Sequence, residues 1–164
     1  MSLKNVLQEF LKEMDWKDEI NHNDDNNTDY ISTVLLIGGQ NYQLILIADE
    51  HAQLLKIVLL SPITIPTHRM KEATFVLNFL NIRVPVGNFA TSLDDGTFYY
   101  RWEISVEGAT AAPQQFRTLL GAATQAFNDT RNSAIGAVAF SKLPVEEIYK
   151  EYDEAVKKAH SLKV

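Results

Sequence analysis

The sequence predicts an α+β fold in which helices pack on an antiparallel sheet. Segments of strand-like composition come in adjacent runs joined by tight turns, which favours antiparallel hairpins over alternating β-α-β units. Helical periodicity occurs before, between and after these runs. The predicted order is helix, three strands, helix, two strands and two helices, within one domain spanning residues 1–164.

The first predicted helix covers about residues 3–14. Its apolar residues recur at steps of three and four, so they form one stripe along a helix surface. They are Leu3, Val6, Leu7, Phe10, Leu11 and Met14.

The next three predicted segments are strands at 30–37, 42–48 and 54–60. Gly38-Gly39 separates the first two, and a Gly-Gly pair accepts the positive φ angles that tight hairpin turns require. Both alternating sets of side chains in 42–48 are largely apolar, which predicts a central strand covered on both faces. Pro62 and Pro66 then predict a break in regular structure.

The second predicted helix, residues 68–82 with Thr67 as its N-cap, is apolar on two sides. A helix of this kind must be covered on both sides, either within the chain or by a second subunit. One stripe comprises Met70, Ala73, Leu77 and Leu80, and the other, Phe75, Phe79 and Ile82, is a candidate dimer or partner surface.

A second hairpin and further helices complete the predicted order. Asp95-Gly96 separates 87–93 from 97–106, and Asp-Gly between strand-like runs is a strong hairpin signal. Pro113 begins a helix, whose pattern either continues or restarts over 134–140. Pro144 begins a last helix, so that residues 144–164 form an additional C-terminal element.

The net charge of −6 is concentrated in one short segment. Residues 13–29 contain seven acidic residues against Lys17 alone, and the rest of the chain is balanced at 14 acids and 14 bases. The stretch 21–29 has no apolar residue and is predicted to be a solvated loop. This balance argues against nucleic acid or an anionic membrane as a partner.

The sequence predicts no catalytic, cofactor-binding or metal-binding residue. It contains no cysteine, no glycine-rich phosphate-binding motif and no HExxH pair. Asp25, Asn27 and Asp29 have the spacing of the first calcium ligands of an EF-hand, but Tyr30 and Leu36 occupy the positions of the required glycine and glutamate. The start of the sequence lacks the apolar core of a secretion signal, which favours the cytoplasm.

The stretch from Met70 to Val138 resembles the YbjN-like family. The resemblance lies in Val76-Leu77-Asn78-Phe79-Leu80-Asn81, Val86-Gly87-Asn88-Phe89, Asp94-Asp95-Gly96, Tyr99-Tyr100-Arg101 and the helix that carries Phe116 and Leu119-Leu120. The order of elements is also similar to that of type III secretion chaperone-like folds. The resemblance implies a small acidic α+β protein with a chaperone-like or regulatory role and no catalytic residues.

These observations together favour a non-enzymatic protein-binding module that binds a protein or peptide and forms a homodimer. The alternatives are a small-ligand-binding protein or enzyme with an unrecognised site, and a structural subunit of a larger complex. Candidate residues for such a site are His68, Asp94, Asp95, Arg101 and Glu103. Convergence of these side chains in one pocket would favour the enzyme or ligand-binding alternative.

Overall fold

The computed structural model describes residues 2–161, and within them the predicted α+β class and antiparallel sheet are confirmed. The helices are α1 (Leu3–Glu13), α2 (Met70–Ile82), α3 (Pro113–Ala126), α4 (Asp129–Phe140) and α5 (Val145–Ser161), and a 3-10 turn (Thr67–Arg69) precedes α2. The strands are β1 (Asn21–Asn23), β2 (Thr28–Ile37), β3 (Gln40–Asp49), β4 (Leu54–Thr64), β5 (Asn88–Thr91) and β6 (Thr97–Ser105).

The six strands form one sheet in the order β1-β2-β3-β4-β6-β5, and all neighbours are antiparallel. The turn between β2 and β3 is formed by Gly38 and Gly39, whose φ angles of 57° and 79° are those of the predicted tight hairpin. Asn128 separates α3 from α4 by capping α4, since its side chain accepts a hydrogen bond from the Arg131 N–H. The predicted order of elements is therefore confirmed, with 113–140 resolved into two helices.

Two parts of the chain that were predicted to be irregular contain strand. Asn21–Asn23 pair with residues 28–30 as β1, so the solvated turn shrinks to 24–27; Asp29 is held by Lys4 and His22 at 3.2 and 3.1 Å. Strand β4 continues to Thr64 through Pro62, because the β3 pairing ends at Leu60 and the missing N–H of Pro62 disrupts no ladder.

The core lies between one face of the sheet and the helices. Strands β2, β3, β4 and β6 bury alternate residues on this face, beneath α1, α3 and α4. Aromatic contacts fill the centre: Phe10 meets Phe116 at 5.5 Å, and Phe127 meets Tyr42 at 4.8 Å. Burial raises the pKa of Tyr100 to about 12, and its hydroxyl donates to the Val86 carbonyl at 2.8 Å.

Candidate functional site

The second face of the sheet is open, contrary to the prediction that β3 is covered on both sides. No helix of residues 2–161 buries it, and its side chains are half-buried or exposed, whereas on β3 and β4 the residues that alternate with them are buried. The prediction was wrong because an apolar surface can be left for another molecule as well as for a helix of the same chain. We call this surface the open face.

The open face has an apolar centre and a polar rim. The cross-strand register places Ile45 beside Val58, Leu60 beside Tyr99, and Val34 beside Gln43. The apolar residues are Tyr30, Val34, Leu36, Ile45, Ile47, Val58, Leu60 and Tyr99. Ser32 and Gln43 lie among them, and the Gln43 amide donates a hydrogen bond to the Ser32 hydroxyl at 3.1 Å. An exposed surface on which apolar side chains predominate is typical of protein interaction sites.

The charged rim of the open face lies towards β6. Lys56 is directly opposite Glu103, and Arg101 is directly opposite Val58. Arg101 and Glu103 are exposed, so their charges are solvated and are not held in an enclosed pocket. A shallow hollow of about 400 Å³ lies along these residues, between β4 and β6.

The predicted surface on α2 is partly covered within the chain. Helix α5 packs on Phe79, whose ring contacts Tyr149 and Tyr152 at 5.4 and 5.2 Å. Phe75 and Ile82 remain 54% and 75% exposed. The structure thus covers one side of the predicted stripe with α5 and leaves Phe75 and Ile82 more than half exposed; we call these two residues the α2 surface.

The sequence of this chain matches the YbjN family, described as "Putative bacterial sensory transduction regulator", over residues 4–135. The chain belongs to the YbjN family. The match confirms the resemblance inferred from the residue pattern, and it includes the whole open face and all of α2. Helix α5, which covers Phe79, lies beyond the matched residues.

Two solved structures are similar to this chain. A crystal structure of YbjN from E. coli has 11% sequence identity and a TM-score of 0.47, covering 85% of this chain and 89% of that one. The HopA1–SchA chaperone–effector complex contains a chain with 13% identity and a TM-score of 0.47, covering 74% of this chain and 87% of that one. No curated protein matches the sequence.

The five residues considered for an enzyme or ligand site do not form one cluster. Asp94 and Asp95 lie in the β5–β6 turn, about six residues or roughly 20 Å along β6 from Arg101. The Asp95 carboxylate accepts a hydrogen bond from the Thr97 N–H at 2.9 Å, which lowers its pKa and identifies it as a turn residue. His68 is exposed in the 3-10 turn, and none of the five side chains hydrogen-bonds to another among residues 2–161.

A cleft that sequence reasoning missed lies where α5 meets the start of α4. Its volume is about 700 Å³, and Arg83, Arg131, Asp153 and Lys157 line it. Asp153 accepts hydrogen bonds from Lys157 and Arg83 at 2.7 and 2.5 Å, which lower the pKa of its carboxyl. Asp153 thus pairs with two of the three cations and holds α5 against the body of the protein, while Arg131 donates to the backbone carbonyls of Gln125, Ala126 and Arg83.

The described residues carry neither a metal cluster nor a membrane span. Within 2–161 no three His, Asp or Glu side chains are placed to hold one ion. The helices of the same range are too short or too polar to cross a bilayer. The arrangement that the structure does offer is an apolar sheet face suited to contact with another polypeptide.

Proposed function

We propose that this chain is a non-enzymatic protein-binding module with a chaperone-like or regulatory role, acting in the cytoplasm as a single domain and as a homodimer. The observation that carries the proposal is the open face. Its apolar side chains belong to β2, β3, β4 and β6, and no helix of residues 2–161 covers them. Binding another polypeptide would remove this surface from water and stabilise the complex by about 25 cal/mol per Å² of apolar area.

Membership of the YbjN family, whose description is that of a sensory transduction regulator, supports a regulatory role. The scattered positions of His68, Asp95 and Arg101 support the absence of catalysis, since acid–base work requires groups within hydrogen-bonding reach of one substrate. The α2 surface is a second candidate contact for a partner. Phe75 and Ile82 lie in the same helix as Phe79 and could extend a partner contact beyond α5.

The proposal is tested by whether the open face keeps an unfolded protein in solution. A denatured client protein is diluted into buffer with or without this chain, and its aggregation is followed by light scattering. We expect the chain to suppress scattering and the variant Val58→Glu to lose most of that effect. The new carboxylate would lie opposite Arg101 across the sheet, so the fold should tolerate it.

The matched control is Phe140→Glu, which places the same charge on an apolar side chain of α4 that is 76% exposed. We expect this variant to suppress aggregation as well as the original chain does. Equal loss in both variants, or no suppression by the original chain, would overturn the proposal that the open face binds polypeptides. Circular dichroism and thermal unfolding establish that both variants are folded.

A cleft-binding function is the second candidate, because the 700 Å³ cleft beside Arg83 and Lys157 could take a small anionic ligand. Such a ligand would have to compete with Asp153 for both cations. The scattering experiment separates the two candidates, since a ligand-binding protein has no reason to depend on Val58.

A further inference from the structure

The two edges of the sheet differ in how much of their outer backbone is already hydrogen-bonded. At one edge, β5 has only four residues, and its outer backbone is occupied. The Asn81 side chain accepts a hydrogen bond from the Phe89 N–H at 2.7 Å and donates one to the Phe89 carbonyl at 3.0 Å. This edge is therefore short and capped by an amide that imitates a neighbouring strand.

At the other edge, β1 covers only one end of β2. The β1 pairing includes Thr28, Asp29 and Tyr30, and no strand of residues 2–161 pairs with the outer side of 31–37. The tight turn at Gly38-Gly39 makes Ile37 and Gln40 a hydrogen-bonded pair, so alternate residues back along β2 bond to β3. Ser32, Val34 and Leu36 consequently direct their N–H and C=O groups outwards.

Nothing in the sequence protects this second edge. Natural edge strands carry charged residues, prolines or bulges that prevent pairing with other chains. Residues 31–37 read Ile-Ser-Thr-Val-Leu-Leu-Ile, with no charge, no proline and no glycine. Val34 and Leu36 are 63% and 73% exposed. We call residues 31–37 the β2 edge.

We propose that the β2 edge pairs with the β2 edge of a second copy of this chain, in antiparallel orientation about a two-fold axis. This pairing joins the two sheets into one and places the open faces side by side. The β2 edge is then the contact surface of the proposed homodimer. This assignment rests on the proposed function only for the existence of a dimer.

The distribution of charge favours a second copy in this orientation. Two of the seven acidic residues in 13–29, Asp24 and Asp25, lie in the turn 24–27 at the Thr28 end of β2. Antiparallel pairing puts the two acidic turns at opposite ends of the joined strands, roughly 30–40 Å apart at about 3.4 Å per residue. That distance exceeds the screening length of about 8 Å at physiological salt.

The symmetry also limits the assembly to two copies. Within residues 2–161 the only other unpaired backbone at this end of the sheet is the outer side of β1, which has three residues, so an isologous contact uses the β2 edge of both copies and leaves no comparable edge for a third. The β5 edges at the two ends of the joined sheet are closed by Asn81. The pairing therefore produces a closed dimer and not an open-ended fibre.

The mass of the full chain in solution tests the proposal. Light scattering coupled to size exclusion should give twice the 18.5 kDa of one chain. Val34→Pro removes an outward N–H and leaves the bonds to β3 intact, and Leu36→Lys places a charge on an edge that otherwise carries none. We expect both variants to have the mass of one chain and to keep the circular dichroism spectrum of the original.

The comparison variant is Ile82→Lys, on the α2 surface, which should remain a dimer. A monomeric original chain, or a dimer that Ile82→Lys dissociates and Leu36→Lys does not, would overturn the proposal. The chain has no cysteine, so Val34→Cys provides a positive signal should the proline variant fail to fold. Oxidation should join two copies of this variant through the new cysteine, whereas Leu93→Cys, at a more exposed site in the β5–β6 turn (87% against 63%), should stay single.

The dimer and the function can fail separately. An original chain that has the mass of one copy and still suppresses client aggregation leaves the protein-binding function standing without the dimer. If the chain is a dimer but does not suppress client aggregation, the pairing through the β2 edge holds and the proposed protein-binding function does not. A monomeric original chain that binds extended peptides at the β2 edge would identify a foreign strand, instead of a second copy, as the occupant.

Discussion

The covered and open faces of the sheet are built from neighbouring residues of the same strands. On β4, Ile57 and Leu59 are fully buried beneath the helices, while Val58 and Leu60, which alternate with them along the strand, are only half-buried. All four side chains are aliphatic, so they differ in their surroundings and hardly at all in their chemistry. The comparison shows that apolar residues on both sides of a strand predict two contacts, of which only one has to come from the same chain.

The largest expected effect comes from breaking the covered face at its centre. Phe116→Ala in α3 would remove a fully buried ring that contacts Phe10 at 5.5 Å. Because the cavity it leaves cannot be filled by rigid neighbours, we expect a loss of about 3–5 kcal/mol in the free energy of unfolding. Denaturant unfolding measures it. A loss below about 1 kcal/mol would contradict the assignment of the covered face as the core that stabilises the fold.

A smaller effect is expected at the outer layer of the covered side, where Asp153 holds α5. The hydrogen bonds from Lys157 and Arg83 lower the pKa of this carboxyl below its ordinary value of 3.8. The stability it contributes is therefore present above that value and is lost as the pH falls through the lower pKa of the folded state. Asp153→Asn should reduce the melting temperature at pH 7, and the difference from the original chain should shrink below about pH 4.

The matched control for Asp153 is Glu151→Gln, an exposed acidic residue of the same helix. It should leave the melting temperature nearly unchanged at every pH. A difference between Asp153→Asn and the original chain that grows in acid would contradict the assigned role. Calorimetry across the pH range measures the melting temperatures of the original chain and of both variants.

Local patterns were sufficient to predict most of the elements on the covered side. The stripe of α1, the Gly38-Gly39 turn and the Asp95-Gly96 turn depend on neighbours in sequence, and each is found where it was predicted. Strand β1 was missed because Asn21-His22-Asn23 has no apolar alternation; its pairing depends on β2 and on the contacts of Asp29.

The candidate site was harder to predict because it depends on what is left uncovered. The pairing of Phe79 with Tyr152 joins residues far apart in sequence, and no local pattern tells which helix covers α2. The cap that Asn81 places on β5 spans only eight residues, but it depends on the path of the turn that brings the amide to the Phe89 backbone. The open face follows from such choices, because the helices that could have covered it all pack on the other side.

The smallest expected effect on stability is at the open face, where Leu36 is 73% exposed. Leu36→Thr keeps a residue that suits a strand and removes little buried area, so we expect a change within about 0.5 kcal/mol in the free energy of unfolding of the monomer. Leu59→Thr, on the covered face of β4, is the matched comparison and should cost several times more, because it buries a hydroxyl among apolar side chains. Denaturant unfolding at a protein concentration low enough to separate subunits measures both variants. Equal losses would show that Leu36 is packed within its own chain, and the distinction between a face that stabilises the fold and a face that receives a partner would fail at that residue.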